Sequence, residues 1–406
     1  MPDARNTVQR RMRSAEYVAD IAPYFTQRPI IAVNSAPTSF NPYVHGARGL
    51  FSAMVFVYHV YHSGLPTLPI VRGSFLETII LDSMKFGVEL FFGISGFVIV
   101  GALARTASMK AFLWDRIARI YPTLWASLLA ITLMALVAGR PLPPMGDWIA
   151  NFVTPPPFFD IPMVHPAAWS LGYEMTFYAL CAAAWWMRGQ GIRWWLWIAG
   201  AAGATLMILF PRSILMAAGV MIAAGLARPL WMDRLARYPL PMLLLFLLAW
   251  RMIDMAAGGR IRLMSPLHAD FGQWIMLLPA ILISGIIGGI ALLGIERGHG
   301  AIGRTLRSPA MQWLGTISYS FYLWHPICMA VVKFGLTRGG FIDHLGMWSQ
   351  AVFFILSLPV ALILSHWSQI WLENHATRWL RGLAAPRRAA AIAPAPAGAD
   401  TLRDCP

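Results

Sequence analysis

Apolar residues in this chain run in long blocks instead of alternating with polar ones. Crossing a hydrocarbon core about 30 Å thick at a rise of about 1.5 Å per residue takes roughly 20 such residues in a helix. Windows of that kind fall at 48–65, 84–103, 120–138, 167–187, 193–210, 213–229, 239–255, 273–294, 313–334 and 350–372. The fifth and sixth are separated only by the turn Pro211-Arg212. The pattern predicts an all-α polytopic membrane protein of about ten transmembrane helices, with a membrane domain over 46–380. A cytosolic extension, 1–45, precedes it. A tail rich in Ala, Pro and Arg, 381–406, follows and is expected to be disordered.

Composition agrees with the pattern. Of the 406 residues 58% are hydrophobic and 12% charged, with a mean hydropathy of +0.58, where a soluble domain carries about 25% charge. The formal net charge of +14 does not point to nucleic acid, because Lys and Arg are scattered in short clusters between apolar blocks. Those clusters set orientation instead. With ten spans, the side holding both termini carries 23 of the 32 Lys and Arg and the opposite side 9, which places both termini in the cytosol. The arginine cluster at Arg5, Arg10, Arg11 and Arg13 is not followed by an apolar run, so no cleaved signal is expected. Cys181, Cys328 and Cys405 suggest neither a disulfide framework nor a metal cluster, and no HExxH, CxxC or Walker pattern is present.

Ionisable groups at membrane depth are costly and mark candidate chemistry. Five stand out: His59 and His62 on the first span, Glu89 on the second, Glu174 on the fourth and His325 on the ninth. Counted along their helices, His59, Glu89, Glu174 and His325 fall in one layer somewhat outside the midplane. Arg48, eleven residues before His59, shares its helix face, as does Ser52. That face would line a channel with a positive cytosolic mouth, suited to an anionic donor. Each group also has a plainer reading, as a helix-to-helix hydrogen bond for the histidines, a polar clamp for the glutamates, and a positive-inside anchor for Arg116 and Arg119.

Several segments resemble the acyltransferase-3 family of integral membrane O-acyltransferases, whose members acylate O-antigens, exopolysaccharides, peptidoglycan and some antibiotics. They are RGLFSAMVFVYH at 48–59, FGVELFFGISGF at 86–97, FLWDRIARIYP at 112–122, WSLGYEMTFY at 169–178, LGTISYSFYLWHP at 314–326, and Ser365 to Glu373. Glu89 stands where the family more often has Asp, and Gly172 and Tyr173 where Ser and Val are frequent. The resemblance runs from Arg48 to about Glu373 and implies a ten-helix fold, a cytosolic acyl-coenzyme A donor and an acceptor at or beyond the outer face. It further implies donor binding by Arg116 and Arg119 and catalysis by His59. The family branch that carries an appended secreted domain is not the one resembled.

The expected activity is therefore transfer of an acyl group, most simply acetyl from acetyl-coenzyme A, to a hydroxyl of a glycan, glycolipid or glycosylated small molecule at the bacterial cytoplasmic membrane. Arg48, Arg116 and Arg119 would bind the donor, since guanidinium suits phosphate. His59 would take the acceptor's proton, with Glu174 orienting it or stabilising its charged form and Glu89 completing the catalytic group. A covalent acyl-histidine is the alternative. Trp169, Ser170, Tyr178, Ser318, Tyr319 and His325 are further site candidates. Ser95 lacks a Gly-x-Ser-x-Gly elbow and is expected to pack. No metal is expected. The rival class is a proton-coupled secondary transporter using the His and Glu groups; a lipid-carrier flippase ranks below it.

Overall fold

A computed structural model describes residues 40–106, 108–154, 159, 161–226, 228–259 and 271–384, and the described residues contain helices and no strands. Most of the 1–45 extension and of the 381–406 tail lies outside them, as do Pro155-Pro156-Pro157 and Cys405. Each of the ten apolar windows falls on a helix. The helices are α1 (Pro42–Tyr61), α2 (Gly87–Arg105), α3 (Met109–Val137), α4 (Met145–Val153), α5 (Trp169–Gly189), α6 (Trp195–Leu209), α7 (Ile214–Ala223), α8 (Leu230–Leu235), α9 (Pro239–Ala256), α10 (Phe271–Glu296), α11 (Gly300–Leu306), α12 (Pro309–Arg338), α13 (Phe341–Leu345), α14 (Ser349–Ser368) and α15 (Thr377–Ala384). The segments Leu76–Arg105, Met109–Val137, Pro239–Ala256, Gly272–Glu296 and Phe341–Leu383 are each long and apolar enough to cross a bilayer, while Trp195–Leu209 and Pro211–Ala223 are shorter apolar helices. The chain is an integral membrane protein.

Local chemistry fixes where the site-bearing helices start. Asn41 accepts from the backbone N–H groups of Tyr43 and Val44, with Pro42 at the first helical position of α1. Ser108 caps α3 through the Ala111 N–H, and Ser308 followed by Pro309 opens α12. Helix α1 is central. It packs along α12 in parallel, shown by contacts that advance together on both helices: His45 with Gln312, Arg48 with Ser318, Phe56 with Phe321 and His59 with His325.

In lipid, helices associate by close packing more than by hydrophobic expulsion, so small residues sit where backbones meet. A Cβ on Gly219 would lie 2.0 Å from the Gly93 carbonyl oxygen, and one on Gly96 would lie 2.0 Å from that of Met216. These two contacts weld α2 to α7. Three apolar clusters surround the centre: one built on α1, α2, α9 and α10, one on α2, α3 and α5, and one on α1, α12 and α14. Helix α1 contributes to all three and α2 to two, and the polar groups described below lie along these two helices and their neighbours.

Candidate functional site

A cavity opens where α1, α2, α3, α5 and α12 converge. Three guanidinium groups line it, from Arg48, Arg116 and Arg119, together with the carboxylate of Glu174. Arg116 and Arg119, spaced three apart on α3, face the same way, and Arg48 reaches in from α1, where its Nε donates to Ser318 Oγ at 3.2 Å. Arg116 lies against the rings of Phe112 and Tyr178 and touches half-buried Asp115 at 3.1 Å, yet its buried Nε has no hydrogen-bond partner. Leaving such a charged donor unpaired costs more than about 1–3 kcal/mol.

Six hydroxyls also line the cavity, from Ser95, Ser170, Tyr178, Ser318, Tyr319 and Tyr322. Four are tied to backbone carbonyls: Tyr319 donates to Ile120, Tyr322 to Ala167, Ser318 to Gly315, and Ser170 to Ala167. The other two converge on Glu174 Oε1, Ser95 at 2.8 Å and Tyr178 one helical turn on. Ser95 is thus a hydrogen-bond donor to the site's carboxylate and not the packing residue its sequence context suggested. Among the described residues Glu174 Oε1 accepts from these two hydroxyls, and no hydrogen bond joins Glu174 to His59.

His59 and His325 meet each other instead. Their ring centroids are 5.2 Å apart, and neither ring lines the arginine-bearing cavity. His59 is half-buried and its ring nitrogens have no hydrogen-bond partner among the described residues, whereas His325 is fully buried among Phe56, Phe321 and Tyr322. Tyr322 adjoins both regions, lining the cavity with its ring centroid 6.1 Å from that of His325. The expectation of one chamber holding His59, Glu89, Glu174 and His325 is therefore replaced by a cavity and an adjoining histidine pair.

Glu89 belongs to neither. It is fully buried and forms an ion pair with Arg212, whose guanidinium carbon lies 4.0 Å from the centroid of the Trp169 ring. That arrangement is the polar clamp, and it makes Glu89 and Trp169 part of the scaffold that fixes α2, α5 and the α6–α7 turn. Arg212, read from sequence as a solvent-side turn residue, was missed. Its signal lay in α7, whose 10 residues are too short to carry the preceding turn out to water.

Beyond the histidine pair a second polar network was also not foreseen. His62 contacts Asp82 at 3.0 Å, Arg251 joins Asp82 at 2.5 Å and Asp254 at 3.0 Å, and Lys85 meets Asp254 at 2.5 Å. Tyr58 stacks on His62 and borders His59, so this network adjoins the histidine pair at the end of α1 remote from Arg48. The order along α1 is guanidinium cavity, histidine pair, ionic network.

The motifs that build this arrangement can be compared with known proteins. At 25% identity over 388 residues, covering 88% of this chain and 95% of the relative, the chain is similar to the acyltransferase MdmB of Streptomyces mycarofaciens. It is also similar, at 28% identity over 276 residues, 62% of this chain and 79% of the relative, to the exopolysaccharide production protein ExoZ of Rhizobium meliloti (strain 1021). No solved structure matches. The family model described as an acyltransferase domain matches residues 41–366, which takes in all three arginines, Glu174 and both histidines, and the chain accordingly belongs to the acyltransferase-3 family of membrane acyltransferases.

Proposed function

We propose that the protein transfers an acetyl group from cytosolic acetyl-coenzyme A to a hydroxyl of a cell-surface or periplasmic glycan or glycolipid. In this reading it crosses the bacterial cytoplasmic membrane ten times with both termini in the cytosol. Family membership supports the reaction class, and the name of one relative, an exopolysaccharide production protein, supports a sugar acceptor. The observation that carries the reading is the cavity wall, where three guanidinium groups face one carboxylate that is already engaged by Ser95 and Tyr178. The excess positive charge suits a pyrophosphate- and phosphate-bearing donor.

Arg116 and Arg119 hold the donor's phosphates, and Arg48, placed one step along α1 toward His59, steers the acyl-bearing arm. Tyr322 rotates aside to let the thioester reach the histidines. His59 then removes the proton from the acceptor hydroxyl, whose oxygen attacks the thioester carbonyl; the carbon–sulfur bond breaks and the thiol leaves with a proton. Glu174 keeps the hydroxyl lining of the cavity in register through Ser95 and Tyr178. The ionic network around Asp82 and Arg251 borders the acceptor side.

Labelled acetyl-coenzyme A, supplied to protein in nanodiscs with envelope glycan from cells lacking the gene, tests this directly. Wild type is expected to transfer label to glycan, and His59→Ala to lose roughly 100-fold or more in rate while still binding the donor. Arg116→Ala is expected to weaken donor binding by about tenfold, the loss of one charge-assisted hydrogen bond. Full transfer by His59→Ala would overturn the assignment.

A further inference from the structure

His325 carries an unmatched nitrogen. Its Nδ1 lies 3.0 Å from the Phe321 carbonyl oxygen, which can only accept, so the proton of the neutral ring sits on Nδ1. Its Nε2 is then a bare lone pair. That atom is fully buried and without a hydrogen-bond partner. A buried nitrogen acceptor left empty costs stability, and nothing in the packing of Phe56, Phe321 and Tyr322 compensates it. The ring it belongs to lies 5.2 Å, centroid to centroid, from His59, whose own nitrogens are equally unclaimed among the described residues. Pro326 has a part in this. It lacks the N–H that would bond the Tyr322 carbonyl, so the middle of the helix is a bond short beside His325.

We propose that His325 is the positioning residue for His59: its Nε2 accepts a hydrogen bond from one nitrogen of His59, fixing the tautomer in which the other nitrogen presents a lone pair to the acceptor hydroxyl. When His59 takes the acceptor's proton and becomes an imidazolium, the same bond becomes charge-assisted and holds the cation in place. The role resembles that of a carboxylate behind a catalytic histidine, but a neutral imidazole supplies it and no net charge is buried. Neither carboxylate is in contact with the pair among the described residues: Glu174 Oε1 accepts from Ser95 and Tyr178, and Glu89 is ion-paired with Arg212. The other titratable groups near the pair are His62, Tyr58 and His165; His62 is held by Asp82, and His165 donates through Nε2 to the Leu323 carbonyl and accepts at Nδ1 from the Ala167 N–H.

This inference rests on the proposed transfer reaction, and two substitutions separate it from a purely structural part for His325. Asn places an amide N–H near the position of Nδ1 and keeps the bond to Phe321 while deleting the acceptor at Nε2. Gln places an amide oxygen near Nε2 and keeps that acceptor while giving up the Phe321 bond. If His325 positions His59, His325→Asn loses roughly 100-fold in transfer to envelope glycan with unchanged donor binding, and His325→Gln stays within about tenfold of wild type. A structural role gives the opposite order, and that order would overturn the proposal. A second measurement needs no substrate: in isotope-labelled protein, the ring nitrogens of His59 are expected to report one tautomer in wild type and a mixture in His325→Asn. An unchanged His59 signal in a folded His325→Asn protein also overturns it. Absence of transfer by wild type, with the tautomer change present, would instead count against the proposed function alone.

Discussion

Glu89 and Arg212 form a buried ion pair that neither helix could carry singly. Removing one partner strands the other charge, so Glu89→Ala is expected to cost about 3–5 kcal/mol, read as a lower unfolding temperature in detergent, whereas replacing both by Leu costs less than replacing either alone. At this scale the sequence was informative about which residues matter and silent about which of them pair. Arg48, Arg116, Arg119, Ser170, Glu174, Tyr178, Ser318 and Tyr319 do converge on one cavity, because short motifs specify which helix face each occupies. The pairings Glu174 with Ser95 and His59 with His325 were not legible. Counting residues along a helix gives depth, but a contact also requires the rotation of each helix and the distance between axes, and one sequence supplies neither.

Among elements, the α2–α7 crossing is held by Gly96 and Gly219, whose missing side chains let the backbones touch. Gly219→Val is expected to abolish the monodisperse folded protein in size-exclusion chromatography. Gly203→Ala, on α6 where a Cβ would meet only the tip of Met207 at 3.9 Å, is expected to elute as wild type. Helix existence was legible because uninterrupted apolar blocks leave few alternatives. Boundaries were less so. Helix α1 begins at Pro42 rather than near residue 48, and α3 begins at Met109, eleven residues ahead of its apolar block, because Asn41 and Ser108 caps extend the helices into polar sequence.

For the whole molecule, the charge count makes a topological statement that labelling can test. With the native cysteines replaced by Ser, a single Cys at Arg234 or Arg304 is expected to react only with reagent on the cytosolic side, and one at Arg140 or Arg338 only from outside. Reversed labelling would invert the orientation. The ring of Tyr322, fastened by its hydroxyl to the Ala167 carbonyl, adjoins both the guanidinium-lined cavity and the histidine pair. If the cavity and the histidine pair open toward opposite faces of the bilayer, as the proposed reaction requires, the Tyr322 phenol is the expected barrier to proton leak. Vesicles containing wild type are expected to hold a proton gradient as long as empty ones do, and those containing Tyr322→Ala to dissipate it faster, a leak readable with a pH-sensitive dye. In the proposed reaction, keeping the membrane electrically tight during acyl transfer would then depend on one aromatic ring.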